Sequence, residues 1–252
     1  MTPKVDLFIA GVQKAGTTSL DAMLRQHPQL QGPNVKETHV FDDETWDWEL
    51  APDQRLAEFY SEPEADRLRF EATPVTSFWP PALARVQRYN PAARIVMILR
   101  DPVRRAWSHW CMEKSRGLET LNFSEAIRQG RSRLAAGFPG SEMRVYSYVE
   151  RGLYLGQVQR VLSLFPAEQV LFLEFETLFR RPQDALDRIA GFTGIKPFKE
   201  LRVERQNVNP MPAGGPAADD IACLKDILAE DARQAVKIAG FDASHWLTLS
   251  GN

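Results

Sequence analysis

The stretch FIAGVQKAGTTSL, residues 8–20, puts glycines at 11 and 16, a lysine at 14 between them and paired threonines at 17 and 18. Glycines at this spacing let the chain turn tightly, and the amides opening a following helix then point at whatever occupies its N-terminus. Such a loop suits an anion, with Lys14 as a movable charge and Thr17 and Thr18 as hydroxyl donors beside the Ala15 and Gly16 backbone. It is not a Walker A loop, GxxxxGK[ST], because its lysine precedes the second glycine. A tight strand-to-helix connection accounts for the glycines alone, but leaves the lysine and threonines without a purpose.

A second set lies in LRDPVRRAWSHW, where Arg100 is expected at a strand end and Ser108 about two turns into the next helix. Arginine there can grip a phosphate bidentately and a serine can add a hydroxyl bond. The plain alternative is an Arg100–Asp101 surface ion pair and a helix-interior serine. Together the two sets suggest one ligand with two separated phosphate groups. In VKETHVFDD, Glu37 and His39 offer a carboxylate and an imidazole for proton transfer, or simply a polar loop. Glu71 in FEATP either orients a reacting group or caps local amides. Phe41, Trp46, Trp48, Phe78 and Trp79 either pack in the core or present apolar surface to a ring-bearing ligand.

These residues need elements to hold them. VDLFIAG is a short apolar run ending in glycine, and TTSLDAMLRQHP follows with Leu20, Met23 and Leu24 at helical spacing. ARIVMIL and QVLFLEFE read as further buried strands, and LRFEATP as a short one stopped by Pro74. Asp101 with Pro102 opens the helix after ARIVMIL. A long amphipathic helix is expected around residues 143–165, with Tyr154, Val158, Val161, Leu162 and Phe165 on one face. Alternating strands and helices predict an α/β fold, a P-loop-like three-layer α/β/α with a central, mostly parallel sheet. The loops after Ala10, Glu71 and Leu99 should then share its carboxyl rim. Residues 1–252 read as one domain, with a C-terminal helical segment at about 217–240 packed on it.

The net charge of −2 argues against nucleic acid as a partner and weighs against a highly anionic polymer. No apolar run approaches the roughly 20 residues of a membrane span, and MTPKVDLFIAG lacks a basic leader, so a cytoplasmic location is expected. Cys111 and Cys223 form no disulfide framework and sit in no zinc-like spacing.

The blocks QKAGTTSL, KETHVFDD, FEATP, RIVMILRDPVRRAWSHW and RGLYLGQVQRVLSLFP, spanning residues 4–195, resemble the sulfotransferase domain. The likeness is to the branch of heparan sulfate and related carbohydrate sulfotransferases and their bacterial relatives. It implies 3′-phosphoadenosine 5′-phosphosulfate (PAPS) as donor and 3′-phosphoadenosine 5′-phosphate (PAP) as product. It places the 5′-phosphosulfate on Lys14–Thr18 and the 3′-phosphate on Arg100 and Ser108. It assigns the general base to Glu37, with His39 as the alternative base or an acceptor-orienting group. Glu71, Thr73, Pro74, Phe41 and Phe78 fall on the acceptor side. A lysine inside the loop can follow a single departing phosphate oxygen, so no metal is expected. The acceptor is a small-molecule, carbohydrate or lipid hydroxyl, and the oligomeric state is open. The chain departs from its relatives near ERQNVNPMPAGGPAA, where Arg205, Asn207, Asn209, Gly214 and Gly215 replace a basic closing segment. The rival readings are a P-loop small-molecule kinase using Glu174 or Glu176 as a Walker B-like acid, and a non-catalytic nucleotide-binding protein.

Overall fold

A computed structural model of the chain describes residues 4–61, 67–134, 140–199 and 214–250. In chain order the elements are β1 (Val5–Gly11), α1 (Thr17–Leu24), β2 (Leu30–Gln31), α2 (Asp53–Ala57), β3 (Leu68–Glu71), α3 (Ala82–Tyr89) and β4 (Arg94–Leu99). There follow α4 (Pro102–Ser115), α5 (Phe123–Arg133), α6 (Ser141–Val145), a 3-10 turn at Glu150–Gly152, and α7 (Leu155–Leu164). The chain continues with β5 (Val170–Glu174), α8 (Phe175–Arg180), α9 (Pro182–Thr193) and α10 (Ala218–Ala239).

The chain divides into two compact units, residues 1–99 with 159–207, and residues 100–158 with 208–252. The first holds a five-stranded sheet in the order β2-β3-β1-β4-β5, with every pair parallel. The sequence expectation of a parallel α/β sheet flanked by helices is met. β1 and β4 are buried along nearly their whole length, which is why they read as unbroken apolar runs rather than alternating ones. β2, only two residues long, is too short to leave a periodic signature and is not foreseen in the sequence.

The strand order makes β1 the switch point. Its outgoing chain runs to β2 on one side, while the chain leaving β3 reaches β4 on the other, and ligands of open parallel sheets bind at such a point. The register slips there too: Ile9 opposes Val96 and Gly11 opposes Met97, so Ala10 is an extra residue where the strand becomes the loop. Helix α1 packs its predicted stripe inward, with Leu20, Met23 and Leu24 buried.

The second unit is helical. Its core joins Val103, Trp107 and Trp110 of α4 to Phe123 and Ile127 of α5 and Leu224 and Leu228 of α10. The helix expected over residues 143–165 is a correction: α6 ends at Val145 and α7 starts at Leu155, with the 3-10 turn between. Tyr148 and Tyr154 are both fully buried, yet six residues apart they would fall on different faces of one continuous helix. Arg151 fills the break by hydrogen bonding back to the Ser147 hydroxyl at 2.8 Å and the Met143 and Arg144 carbonyls.

Candidate active site

The phosphate loop is built in the first unit, and its glycines are there for space and conformation. A Cβ on Gly11 would lie 2.2 Å from the Ser77 hydroxyl oxygen. Ser77 closes over the strand end, donating its backbone N–H to the Ala10 carbonyl at 2.8 Å. Gly16 has φ 82 and is the N-cap of α1, where a Cβ would meet the Phe179 ring at 2.9 Å. Ala15 is fully buried and its N–H donates to the Val12 carbonyl at 3.2 Å, tightening the turn.

Gly16, the N-cap of α1, has no side chain to cap the helix, and the first turn holds no acid. A helix N-terminus of this kind, with its first N–H groups outside the helix ladder and its dipole positive, suits an anion. Lys14 and Thr18 are half-buried, and Thr17 is buried.

Three non-glycine residues are held at positive φ among the described residues: Lys14 at 71°, Glu37 at 63° and His39 at 52°. Left-handed backbone costs an ordinary residue about 1–2 kcal/mol, and such strain gathers where a side chain must be aimed. All three were singled out on chemical grounds.

Glu37 and His39 belong to a chain of charges. Lys36 bonds the Glu37 carboxylate, Glu37 Oε2 lies 3.5 Å from His39 Nε2, and His39 Nδ1 lies 2.9 Å from Oδ2 of the fully buried Asp42. Burial pushes the Glu37 carboxyl up, but the His39 hydrogen bond and the Lys36 ammonium outweigh it and hold the group at about 2. The Asp42 hydrogen bond, then that of Glu37, raises His39 to about 9 against the opposing effect of burial. At neutral pH the pair is therefore carboxylate and imidazolium.

Glu71 holds this segment. Fully enclosed at the end of β3, its carboxylate accepts from the Thr38 N–H and hydroxyl at 3.3 and 3.2 Å, from the Thr73 N–H at 3.1 Å and from the Thr73 hydroxyl. Burial raises its pKa, and the Thr73 and Thr38 bonds pull the other way. Of the two roles open in the sequence, amide capping is the one these contacts fill. The His39 N–H also points to the Thr73 hydroxyl at 3.5 Å, and Pro74 and Ser77 continue to the phosphate loop. A continuous run of contacts thus joins Glu37 and His39 to Gly11.

The aromatics divide. Phe41 and Trp79 are buried, Phe41 edge-on to Phe8 at 5.6 Å. Trp46 and Trp48 carry Arg55 and Arg85 on their faces, the latter at 4.1 Å. Phe78 is half-buried, and its carbonyl with that of Ser77 accepts from Arg160.

In the second unit Arg100 is half-buried and its carbonyl accepts from the Tyr154 hydroxyl at 2.8 Å. Asp101 caps α4 as the sequence suggests, accepting from the Arg104 N–H at 2.7 Å, and is itself 1% exposed. Its other oxygen takes the Thr248 N–H and hydroxyl at 2.7 and 2.8 Å. Ser108 is half-buried on α4, with exposed Arg104 one turn before it on the same face. Sequence reasoning missed Asp42, Thr38, Ser77 and Thr248, and read Tyr154 only as part of an apolar helix face. Only Asp42 had a signal, its i+3 spacing from His39. Arg205, Asn207 and Asn209 lie outside the described residues, and Gly214 and Gly215 both have positive φ.

The family profile described as the sulfotransferase domain matches residues 4–208. The chain belongs to the sulfotransferase domain family. It is 30% identical over 194 residues to mouse heparan sulfate glucosamine 3-O-sulfotransferase 3A1, covering 75% of this chain and 45% of that protein. The human 3B1 enzyme is 29% identical over 189 residues, covering 75% of this chain and 46% of its own length. The chain thus spans about half the length of the curated relatives it matches. Among solved structures, a sulfotransferase from Alicyclobacillus acidocaldarius superposes with a TM-score of 0.81 at 26% identity, covering 96% of this chain and 98% of that one. Mouse sulfotransferase SULT7A1, solved with PAP, shares the fold at 14% identity and a TM-score of 0.60, over 93% of this chain and 86% of its own. The sulfotransferase-family match runs from β1 through α9.

Proposed function

We propose that the chain, acting over residues 1–252 as one sulfotransferase domain, moves a sulfuryl group from PAPS to a hydroxyl of a small-molecule, carbohydrate or lipid acceptor. The observation that carries this reading is the conjunction of an uncapped α1 N-terminus with Lys14 and Glu37 held in left-handed backbone and Glu37 ionised. The α1 amides, Thr17 and Thr18 receive the 5′-phosphosulfate. Arg100 and Ser108 receive the 3′-phosphate.

The acceptor oxygen attacks sulfur as its bond to the bridging phosphate oxygen breaks. PAP leaves with the bond pair, Lys14 meets the charge growing on that oxygen, and Glu37 takes the acceptor proton. His39, cationic between Asp42 and Glu37, orients rather than accepts. No metal enters this scheme, because the leaving group is one phosphate answered by a lysine and amides. Phe78, Thr73 and Pro74 border the acceptor, with Glu71 behind them and Phe41 supporting the loop from the core. Curated relatives are named for heparan sulfate, but here Asp47, Glu49 and Glu58 stand exposed in the segment after the KETH block, which favours an acceptor of low negative charge. No described helix is long and apolar enough to cross a membrane. We place the protein in the cytoplasm of a bacterium, with no nucleic acid partner.

PAP should raise the melting temperature far more than ATP with Mg²⁺, since only PAP presents phosphates to both anion sites. The reverse order would favour a kinase, in which Glu174 would have to leave the Thr177 hydroxyl it now accepts from at 2.7 Å.

A further inference from the structure

Helix α4 must satisfy the donors of its first turn. Pro102 has none, the Arg104 N–H goes to Asp101 Oδ1, and the Val103 N–H goes to Thr248 Oγ1 at 3.3 Å. Thr248 donates its own N–H and hydroxyl to Asp101 Oδ2. The cap is therefore made by two residues 147 positions apart, both 1% exposed. On the other side, the Arg100 carbonyl is held by the Tyr154 hydroxyl. Tyr154 is fixed in turn: its N–H and that of Leu155 both donate to Asp231 Oδ1 of α10, and its ring meets the buried Trp246 edge-on at 6.5 Å.

Asp231, Trp246 and Thr248 all lie beyond residue 208, where the family match ends. We propose that this C-terminal segment positions the 3′-phosphate anchor, Asp231 acting on Arg100 through Tyr154 and Thr248 acting through Asp101. The inference rests on the reading that Arg100 and Ser108 receive that phosphate. Ser108 sits eight residues after Arg100, so its placement depends on where α4 begins and Arg100's on how its own peptide is clamped. A shift of about 1 Å at either is enough to weaken a two-point grip on a phosphate. Thr248, Tyr154 and Asp231 are positioning residues that need not touch the nucleotide.

The test compares PAP with adenosine 5′-phosphate, which lacks the 3′-phosphate, by calorimetric titration of the full chain. Wild type should prefer PAP by about tenfold or more, the worth of a charge-assisted contact. Thr248→Val and Tyr154→Phe should each cut that preference about threefold to tenfold while leaving adenosine 5′-phosphate affinity within about twofold. Thr248→Ser, which keeps both Asp101 bonds, should retain it. A general loosening would lower both affinities together, so an unchanged ratio in the folded variants overturns the proposal. If Thr248→Val does not fold, Tyr154→Phe decides alone, because removing one hydroxyl leaves the ring packing in place. A wild type with no preference for PAP, or Arg100→Ala that keeps it, would instead remove the donor reading and this inference with it.

Discussion

His39 Nδ1 lies 2.9 Å from Oδ2 of Asp42, a carboxylate with no exposed surface, while its Nε2 faces Glu37 at 3.5 Å. The imidazole is thereby held as a cation to about pH 9, above its ordinary 6.5. Its charged contacts contribute stability in full below about 6.5, and lose it as pH rises through about 9. Turnover should fall over the same alkaline range as the Asp42–His39–Glu37 chain that orients Glu37 loses its central cation. Asp42→Asn should move that fall toward neutral pH. A kcat profile flat to pH 10 in both proteins would remove His39⁺ from the mechanism.

Glu37→Gln keeps the shape of the side chain and removes the proton acceptor. It should leave PAP binding nearly intact and lower kcat about a hundredfold or more, the usual scale of general-base catalysis. The wild-type acid limb should be hard to reach, because Glu37 stays ionised to about 2. His39→Gln should cost less. A larger loss in His39→Gln than in Glu37→Gln would transfer the base to the imidazole.

Gly11→Ala should destabilise the fold by roughly 2 kcal/mol or more, because its Cβ would sit 2.2 Å from the Ser77 hydroxyl oxygen. Ser77→Gly opens that space. The double variant should recover much of the melting temperature lost by Gly11→Ala alone, and simple additivity would show that the steric account is wrong.

Several of these contacts were legible in the sequence, and the reasons differ from residue to residue. β1, the phosphate loop and α1 declare themselves because an apolar run, two glycines and a helical stripe are all local signals. So does the Asp101 cap, for which Asp-Pro is enough. The expected helix over 143–165 failed because its apolar periodicity holds within 154–165, while the break depends on where Tyr148 is buried and where Arg151 folds back. Glu71 could not be assigned, since a carboxylate that caps Thr38 and Thr73 looks in sequence like one that moves a proton. Thr248 had no signal at all: a threonine near a C-terminus becomes part of a helix cap only when the fold brings it to Asp101.

Sulfuryl transfer should proceed in excess EDTA, since the proposed grip is made of amides, hydroxyls and Lys14 rather than of ligands for a hard cation. Turnover lost on chelation and restored by Mg²⁺ would contradict that arrangement.

The central claim is tested most directly by following the group that moves. The purified chain is given PAPS labelled with ³⁵S in its sulfuryl group and, in parallel, ATP labelled in its γ-phosphate, each with extracts of small molecules, glycans and lipids. Products are separated and identified by mass. The account predicts ³⁵S in a product heavier by one sulfuryl group, formed by wild type and largely lost in Lys14→Ala and Glu37→Gln. Labelled phosphate in the product, with no sulfuryl transferred, would contradict it.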